Sequence, residues 1–470
     1  MSPPRQHVLL FPYPLFGHIS PLLQLARKMA PHHDVTFVTS ALRVQQLRQR
    51  GIFTAADEAS IQLVGLLDAL QESDDTEGTF QQMLEVGEKT FPFMTKLFRT
   101  LPSSASPDAL GDDYRALLDR PLQRPVDVAI MDVIALRESL PLLHPRGIRC
   151  FVFNSSGLIF SNKLNVNQDT PALPDAAFFS DWEAHPDLAV SGVPRAFKEM
   201  CMDCDGELFP GLDALAGFIV NSIEELEPEV VRTMATHRKT AGKPVRFVAP
   251  LFADEAGKGH GNLVGEWLDA QGERSVVYVS FGSFAVSQNE QLHEIAKALL
   301  SLNKPFIWSL KSHQQKLLPP EMQASIAGQS ASSKYLVLAW TPQRSILNHP
   351  ATRLFVSHVG YNSLLETFDA GVPLVCWPMF GDQFANADMA QRLGNGRTIP
   401  DTGALHSRTV PAAEIAEAVT TVGQWERNFG DGDYARKAAE VSRMVKAAAA
   451  PGGSSCEAFT KLVLSDIPLA

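Results

Sequence analysis

The sequence predicts an α/β protein with two doubly wound, mostly parallel sheets. Short apolar runs alternate with amphipathic helical patterns in the first half, and a second series of the same kind begins near residue 275. The 470 residues are enough for two domains of about 200 residues each. Such alternation favours parallel strands joined by crossover helices.

The first half opens with HVLLFPYP (7–14), which predicts a strand that runs into a loop. The segment SPLLQLARKMA (20–30) predicts a helix, because Ser20 can cap it and Pro21 fits its first turn. Further strands are predicted at DVTFVTS (34–40), PVDVAIMD (125–132) and RCFVFNSS (149–156).

Two long, less regular stretches, 60–120 and 157–215, interrupt this series. Both carry scattered large apolar residues. Such excursions from a sheet are often binding loops, and an apolar acceptor pocket needs residues of this kind. For any single one of these residues, the core of a helix packed on the sheet is the better explanation.

A Gly-containing, weakly apolar segment (251–263) predicts a linker, after which the strand–helix series restarts. The predicted elements are a strand at SVVYVSFGS (275–283), a helix at 288–302, and strands at 304–311 and 335–340. Neither first strand is followed by a G-x-G-x-x-G fingerprint, which counts against a dinucleotide oxidoreductase.

Trp340 to Gln383 is the most informative segment. RLFVSHVG (353–360) predicts a buried strand, and the helix NSLLETFDA follows it and is closed by Gly371. A helix start offers backbone N–H groups and a positive dipole end, which suit a diphosphate. A second strand, VPLVCWP (372–378), precedes a helix that begins near Phe384.

The segment contains W-x-P-Q, H-x-G-x-N-S-x-x-E, G-V-P-x-x-x-x-P and D-Q in register. It resembles the donor-binding box of the plant-type family 1 UDP-glycosyltransferases. The resemblance implies a GT-B fold, with two Rossmann-like domains facing a cleft. It also implies a donor site for UDP-glucose formed by Ser283, Trp340, Gln343, His358, Gly360, Tyr361, Asn362, Ser363, Glu366, Asp382 and Gln383.

Within that resemblance, Trp340 stacks on uracil, Glu366 binds the ribose, and the Asp382–Gln383 pair holds the sugar. Gln383, the last residue of the box, is similar to the residue found at this position in glucose-preferring members. Gln343 borders the uracil, and the diphosphate is contacted by Ser283, His358, Asn362 and Ser363. One position departs from the family pattern, because Tyr361 stands where a Trp is usual.

Glycosyl transfer to a hydroxyl needs a base, and His18 in FGHISP is the candidate. It is expected in the loop after the first strand, on the ligand-binding side of the sheet. A carboxylate on its other nitrogen would stabilise the imidazolium. Asp132 is preferred for this role because it ends a strand, whereas Asp127 precedes the apolar part of that strand. The family's catalytic His–Asp pair maps onto His18 and Asp132.

Composition restricts the partners. The net charge of −11 disfavours a nucleic-acid partner, which is itself a polyanion. No leader-like segment or run of 18 apolar residues is present, so we expect a cytoplasmic protein without a membrane anchor. Five cysteines do not indicate a disulfide framework, and the C-x-x-C at Cys201 and Cys204 lacks further zinc ligands.

The prediction is therefore an inverting UDP-sugar-dependent glycosyltransferase that acts as a monomer on a small lipophilic or phenolic acceptor. By the resemblance it needs no metal and no cofactor. Its predicted parts are an acceptor-binding domain (1–250), the linker (251–263), a UDP-sugar-binding domain (264–453) and a C-terminal helix (454–470) that packs on the first domain. The alternatives are a UDP-sugar-binding protein without turnover and an NAD-dependent oxidoreductase.

Overall fold

The structure is a computed structural model that describes residues 5–75, 80–105, 112–157, 214–236, 242–252, 261–282, 289–379, 381–402 and 408–467. Contacts divide the chain into two compact units. The first comprises Met1–Thr76, Phe80–Asp254 and Ala447–Ala470, and the second holds Glu255–Lys446. The division at Asp254 falls inside the predicted linker, most of which lies outside the described residues.

The sheet of the first unit consists of parallel strands. Its strands are β1 His7–Phe11, β2 Asp34–Ser40, β3 Ile61–Leu66, β4 Val128–Asp132, β5 Arg149–Asn154, β6 Leu215–Val220 and β7 Val245–Phe247. Within the described residues their order is β3-β2-β1-β4-β5-β6-β7. The order reverses between β1 and β4, and open α/β sheets bind ligands outside the carboxyl ends of the strands at such a switch point.

The helices of the first unit cover this sheet. The N-terminal ones are α1 Phe16–Met29, α2 Ala41–Gln49, α3 Ala55–Glu58, α4 Phe80–Thr100, α5 Leu136–Leu143 and α6 Pro228–Thr236. In α1 the apolar stripe packs into the core with Val8 and Phe37 of the sheet. The stretch 60–120, expected to be irregular, contains β3 and the long α4.

The second unit repeats the plan. Its strands are β8 Val276–Ser280, β9 Phe306–Ser309, β10 Leu336–Leu338, β11 Thr352–Ser357, β12 Leu374–Cys376 and β13 Gly396–Thr398. They are parallel, in the order β10-β9-β8-β11-β12-β13 among the described residues, so β8 and β11 form the switch point.

Helices connect the strands of the second unit. They are α7 Gly261–Asp269, α8 Asn289–Ser301, α9 Ser312–Gln315, α10 Pro320–Ala327, α11 Gln343–Asn348, α12 Tyr361–Ala370, α13 Gln383–Leu393, α14 Ala412–Gly423 and α15 Asp433–Ala449. As predicted, α12 closes at Gly371, whose φ of +68° lies in the left-handed region that glycine tolerates.

The C-terminal segment belongs to the first unit. Helix α16 Ser454–Lys461 is followed by a π-helical turn, and Leu462 and Val463 join the core of that unit. Arg246 binds Asp466 through Nε–Oδ2 (2.5 Å) and Nη2–Oδ1 (2.9 Å). Among the described helices, none combines the length and apolar character that crossing a bilayer requires.

Candidate active site

Two predicted site residues meet at the switch point of the first unit. Nδ1 of His18 lies 2.9 Å from Oδ2 of Asp132, so the ring N–H can donate to the carboxylate. The Asp132 side chain is fully buried, whereas that of His18 remains 20% exposed. The other carboxylate oxygen, Oδ1, accepts a hydrogen bond from the backbone N–H of Ile134 at 3.0 Å. A buried carboxylate bonded in this way holds the imidazole in one orientation.

The prediction that His18 lies in a loop is wrong, because it occupies the first turn of α1. The helix begins at Phe16, and the backbone carbonyl of Leu15 accepts from His18 at 2.9 Å. Ser20 and Pro21 therefore lie inside the helix. Pro21 lacks only one backbone donor there, and its side chain is buried in the core, which outweighs the local preference for a later start.

The structure places Asp132, not Asp127, beside His18. Asp127 precedes β4, and its Oδ2 accepts from the backbone N–H of His7 at 2.7 Å. His7 begins β1, so this contact lies at the amino ends of the strands. Asp132 ends β4 and therefore lies at the carboxyl edge, where the chain of β1 leads into α1.

Two further residues surround His18 and were not predicted. Oγ of Ser155 lies 3.0 Å from Nδ1 of His18, and the ring of Tyr13 meets the imidazole edge-on at 5.6 Å between centroids. Burial raises the pKa of Tyr13 above its usual value, so its phenol stays neutral beside the base. Both follow strands of the same sheet, β1 and β5, and their place near the ends of the predicted segments 7–14 and 149–156 was the only signal for them.

In the second unit, three predicted donor residues form one hydrogen-bonded cluster. Nε2 of Gln343, the first residue of α11, donates to Oγ of Ser363 at 3.0 Å and to Oε2 of Glu366 at 2.7 Å. Oε1 of Gln343 accepts from the hydroxyl of Tyr278 at 3.3 Å. These bonds orient the Glu366 carboxylate, the group expected to accept from ribose hydroxyls.

Trp340 is 42% exposed, an unusual state for so large an apolar side chain, and it lies three residues before Gln343. An exposed indole is available for stacking. Tyr361, in contrast, is only 5% exposed. The departure from the family's Trp therefore falls on a side chain buried in the unit.

His358 follows β11 and fits between two glycines. A Cβ added at Gly282 would lie 2.7 Å from His358 Nε2, and one at Gly360 would lie 2.6 Å from it. The imidazole therefore depends on both positions lacking a side chain. Burial lowers the pKa of His358 from 6.5 to about 4, only partly offset by a hydrogen bond to the backbone of Ser280. The ring is neutral at pH 7 and offers an N–H donor.

The remaining predicted residues lie at the carboxyl ends of β11 and β12 or outside the described part. Asn362 is in the first turn of α12, and Asp382 precedes α13. Gln383 is 3% exposed, and its Oε1 accepts from the backbone N–H of Met379 at 2.8 Å. Ser283, Cys201 and Cys204 lie outside the described residues, as does the whole stretch 158–213.

At the carboxyl edge of the second sheet, the described residues offer neutral hydrogen-bond donors and a helix start rather than a cluster of positive charges. This combination suits an anion such as a diphosphate. Among the described residues, no group of three or more His, Cys, Asp or Glu residues is placed to hold a metal ion.

Comparisons with known proteins agree with one another. The family described as UDP-glucoronosyl and UDP-glucosyl transferase matches residues 230–425. UDP-glycosyltransferase 84A1 of Arabidopsis thaliana is 28% identical, over 98% of this chain and 94% of its own. Nuatigenin 3-beta-glucosyltransferase of Solanum aculeatissimum is 28% identical, over 97% and 96%.

Solved structures show the same fold. The Medicago truncatula enzyme UGT71G1, complexed with UDP-glucose, matches with a TM-score of 0.74 at 22% identity and covers 98% of both chains. LpCGTa, in complex with UDP, matches with a TM-score of 0.71 at 25% identity, over 99% of this chain and 100% of its own. These neighbours confirm the predicted GT-B fold.

Proposed function

We propose that this chain, which belongs to the plant-type UDP-glycosyltransferases, transfers glucose from UDP-glucose to a hydroxyl of a small lipophilic or phenolic acceptor. The product would be a β-glycoside formed with inversion of the α-linked donor. The family membership carries the reaction class. The donor sugar, the acceptor class and the catalytic residues are the proposal.

The 2.9 Å contact between His18 and Asp132 is the observation that carries the proposal of turnover. A protein that only binds a UDP-sugar has no use for a base paired with a buried carboxylate. The pair lies at the carboxyl edge of β1 and β4, where ligands of open α/β sheets bind. Its geometry matches the base–carboxylate arrangement of general-base catalysis.

In the proposed reaction, Nε2 of His18 takes the proton of the acceptor hydroxyl while the hydroxyl oxygen attacks the anomeric carbon of glucose. The bond from that carbon to the diphosphate oxygen breaks, and its electron pair leaves with UDP. The resulting imidazolium is stabilised by the Asp132 carboxylate. Attack from the face opposite the diphosphate produces the inversion.

Donor binding is assigned by extension of the same proposal. Trp340 would stack on uracil, and Glu366, oriented by Gln343, would bind the ribose. The neutral His358, together with Ser283, Asn362, Ser363 and the backbone after Gly360, would hold the diphosphate as its charge develops. Asp382 and Gln383 would hold the sugar hydroxyls.

An apolar acceptor is supported by the surroundings of His18. Tyr13 packs against His18, and the partly buried Phe91 of α4 meets Tyr13 edge-on at 5.8 Å. Aromatic side chains next to the base suit a flat or lipophilic molecule better than a sugar or a peptide. The phenolic or terpenoid nature of that molecule is part of the proposal.

Metal independence is proposed from the family pattern and is tested by adding EDTA to the assay, which should leave transfer unchanged. The cytoplasmic location, the monomeric state and the domain boundaries stay predictions. Gel filtration coupled to light scattering tests the monomer: a mass near 51.4 kDa is expected, and twice that value would contradict it.

Mass spectrometry tests the reaction. The protein is incubated with UDP-glucose and a pool of phenols and terpenoid alcohols, beside His18→Ala and the control His144→Ala, which removes an exposed histidine of the same unit. A product heavier by one hexose is expected with wild type and the control but not with His18→Ala. Equal amounts of product from the wild type and both variants would show that His18 is not the catalytic base.

UDP binding separates the alternatives. A ligand that binds only the folded state raises the melting temperature. UDP is expected to stabilise both the wild type and His18→Ala, and NAD neither. If UDP stabilises the protein but neither a glycoside nor hydrolysed donor is formed, a binding protein is favoured. Stabilisation by NAD alone would favour an oxidoreductase.

A further inference from the structure

The turn after β11 holds a β-branched residue in the left-handed region. Val359 has a φ of +54°, which valine rarely adopts because its branched Cβ crowds the backbone. Two side chains hold this turn. Oγ of Ser357 accepts from the Val359 N–H at 3.0 Å, and Nδ2 of Asn386 donates to the Val359 carbonyl at 2.9 Å. Because His358 directly precedes Val359, the turn sets the direction of the imidazole.

The same amide nitrogen makes a second bond. Nδ2 of Asn386 donates to Oδ2 of Asp382 at 3.0 Å. A carboxamide nitrogen carries two hydrogens, so one can reach the Val359 carbonyl and the other the carboxylate. Asn386 is 4% exposed and lies one helical turn after Asp382. It therefore joins the turn beside His358 to a carboxylate at the start of α13.

We propose that Asn386 is a positioning residue that holds the diphosphate-binding turn and the sugar-binding carboxylate in one fixed geometry. The inference rests on the proposed function, in which His358 contacts the diphosphate and Asp382 contacts the sugar. Asn386 acts on the donor through these neighbours. Losing it removes one hydrogen bond that orients the Asp382 carboxylate, so that the glucose part of the donor is bound less well than UDP itself.

A purely structural role makes a different prediction. A buried, hydrogen-bonded asparagine stabilises its unit, and its loss lowers the melting temperature. That loss reduces the amount of folded protein but leaves the dissociation constants of the folded fraction unchanged. The ratio of the dissociation constants for UDP-glucose and UDP therefore separates the two roles.

The test replaces the donating amide by an isosteric acceptor. Asn386→Asp would place a carboxylate against the Val359 carbonyl and the Asp382 carboxylate. Asn303→Asp is the matched control, because Asn303 is exposed, precedes β9 at the opposite edge of the sheet, and can keep its contact with Lys334 as a carboxylate. Isothermal calorimetry measures the dissociation constants of UDP and UDP-glucose without an acceptor.

In Asn386→Asp we expect the dissociation constant for UDP-glucose to rise about tenfold relative to that for UDP. A change of this size corresponds to the loss of one hydrogen bond to a charged group. The control keeps the wild-type ratio. If Asn386→Asp does not fold, Asn386→Ala removes both bonds without adding charge, and the ratio should move in the same direction.

A wild-type ratio in a folded Asn386 variant would overturn the inference, even if its melting temperature falls. Failure of the proposed function is recognised separately. If the donor site on which the inference rests is wrongly assigned, the wild-type protein itself binds neither UDP nor UDP-glucose.

Discussion

His358 should make the stability of this protein depend on pH in a predictable direction. Its pKa is about 4 in the folded chain, against 6.5 for the free side chain, because burial disfavours the imidazolium. Above pH 6.5 the ring is neutral in both states, and its contribution to stability is fully present. As the pH falls from 6.5 towards 4, the unfolded chain takes up a proton that the folded chain refuses, so this contribution is lost.

The magnitude follows from the two pKa values. Each pH unit in the window costs about 1.4 kcal/mol of unfolding free energy, which gives about 3 kcal/mol over the interval from 6.5 to 4. The residue as a whole is partly accessible although its Nδ1 is enclosed, so we expect a loss of about 2 to 3 kcal/mol.

Urea unfolding between pH 7 and about pH 4 measures this loss. Other groups also titrate, so the comparison is between wild type and His358→Gln, which keeps a polar side chain but cannot be protonated. The wild type should lose about 2 to 3 kcal/mol more than the variant over this interval. The control His293→Gln removes an exposed histidine of the same unit and should follow the wild type. Parallel curves for wild type and His358→Gln would refute the reasoning.

Trp340→Ala should weaken UDP binding by about 1 to 3 kcal/mol, the usual value of one base stacked on an aromatic ring, with little change in melting temperature because the indole is exposed. Unchanged affinity in calorimetry would contradict stacking. Gly360→Ala places a Cβ 2.6 Å from Nε2 of His358 and should weaken UDP binding about tenfold, whereas Gly328→Ala, which meets no atom within 4 Å, should not. Asp132→Asn should lower the rate of transfer by about 10² to 10⁴. The affinity for UDP should stay the same in that variant, and a parallel loss of both would indicate a structural role for Asp132.

Much of the fold could be predicted because its signals are local. The apolar, β-branched run 34–40 coincides with β2, and the helix closed by Gly371 ends where predicted. Errors arose where local rules and packing disagree. The stretch 60–120 was expected to be irregular, yet α4 spans Phe80–Thr100 with Pro92 inside it, and its residues Met94 and Phe98 are fully buried. Burial of such a face outweighs the cost of one proline.

The candidate active site shows the same difference between what local patterns predict and what packing decides. The spacing of the donor box and the position of His18 were readable because they are short patterns. Ser155 and Asn386 were missed because neither stands in a distinctive pattern, and each matters only through a partner that the fold brings to it. A serine after a strand and an asparagine in a helix are ordinary in sequence.

The sequence by itself determined the α/β class, the strand–helix order and the donor box, since these depend on residues close together in the chain. The sequence favoured Asp132 over Asp127, but only the tertiary structure decided that Asp132 meets His18, since 114 residues separate the partners and the sheet order makes them neighbours. The pKa of His358 was likewise decided by burial. Distances across a sheet and the loss of water around a side chain are products of packing, which a local pattern does not contain.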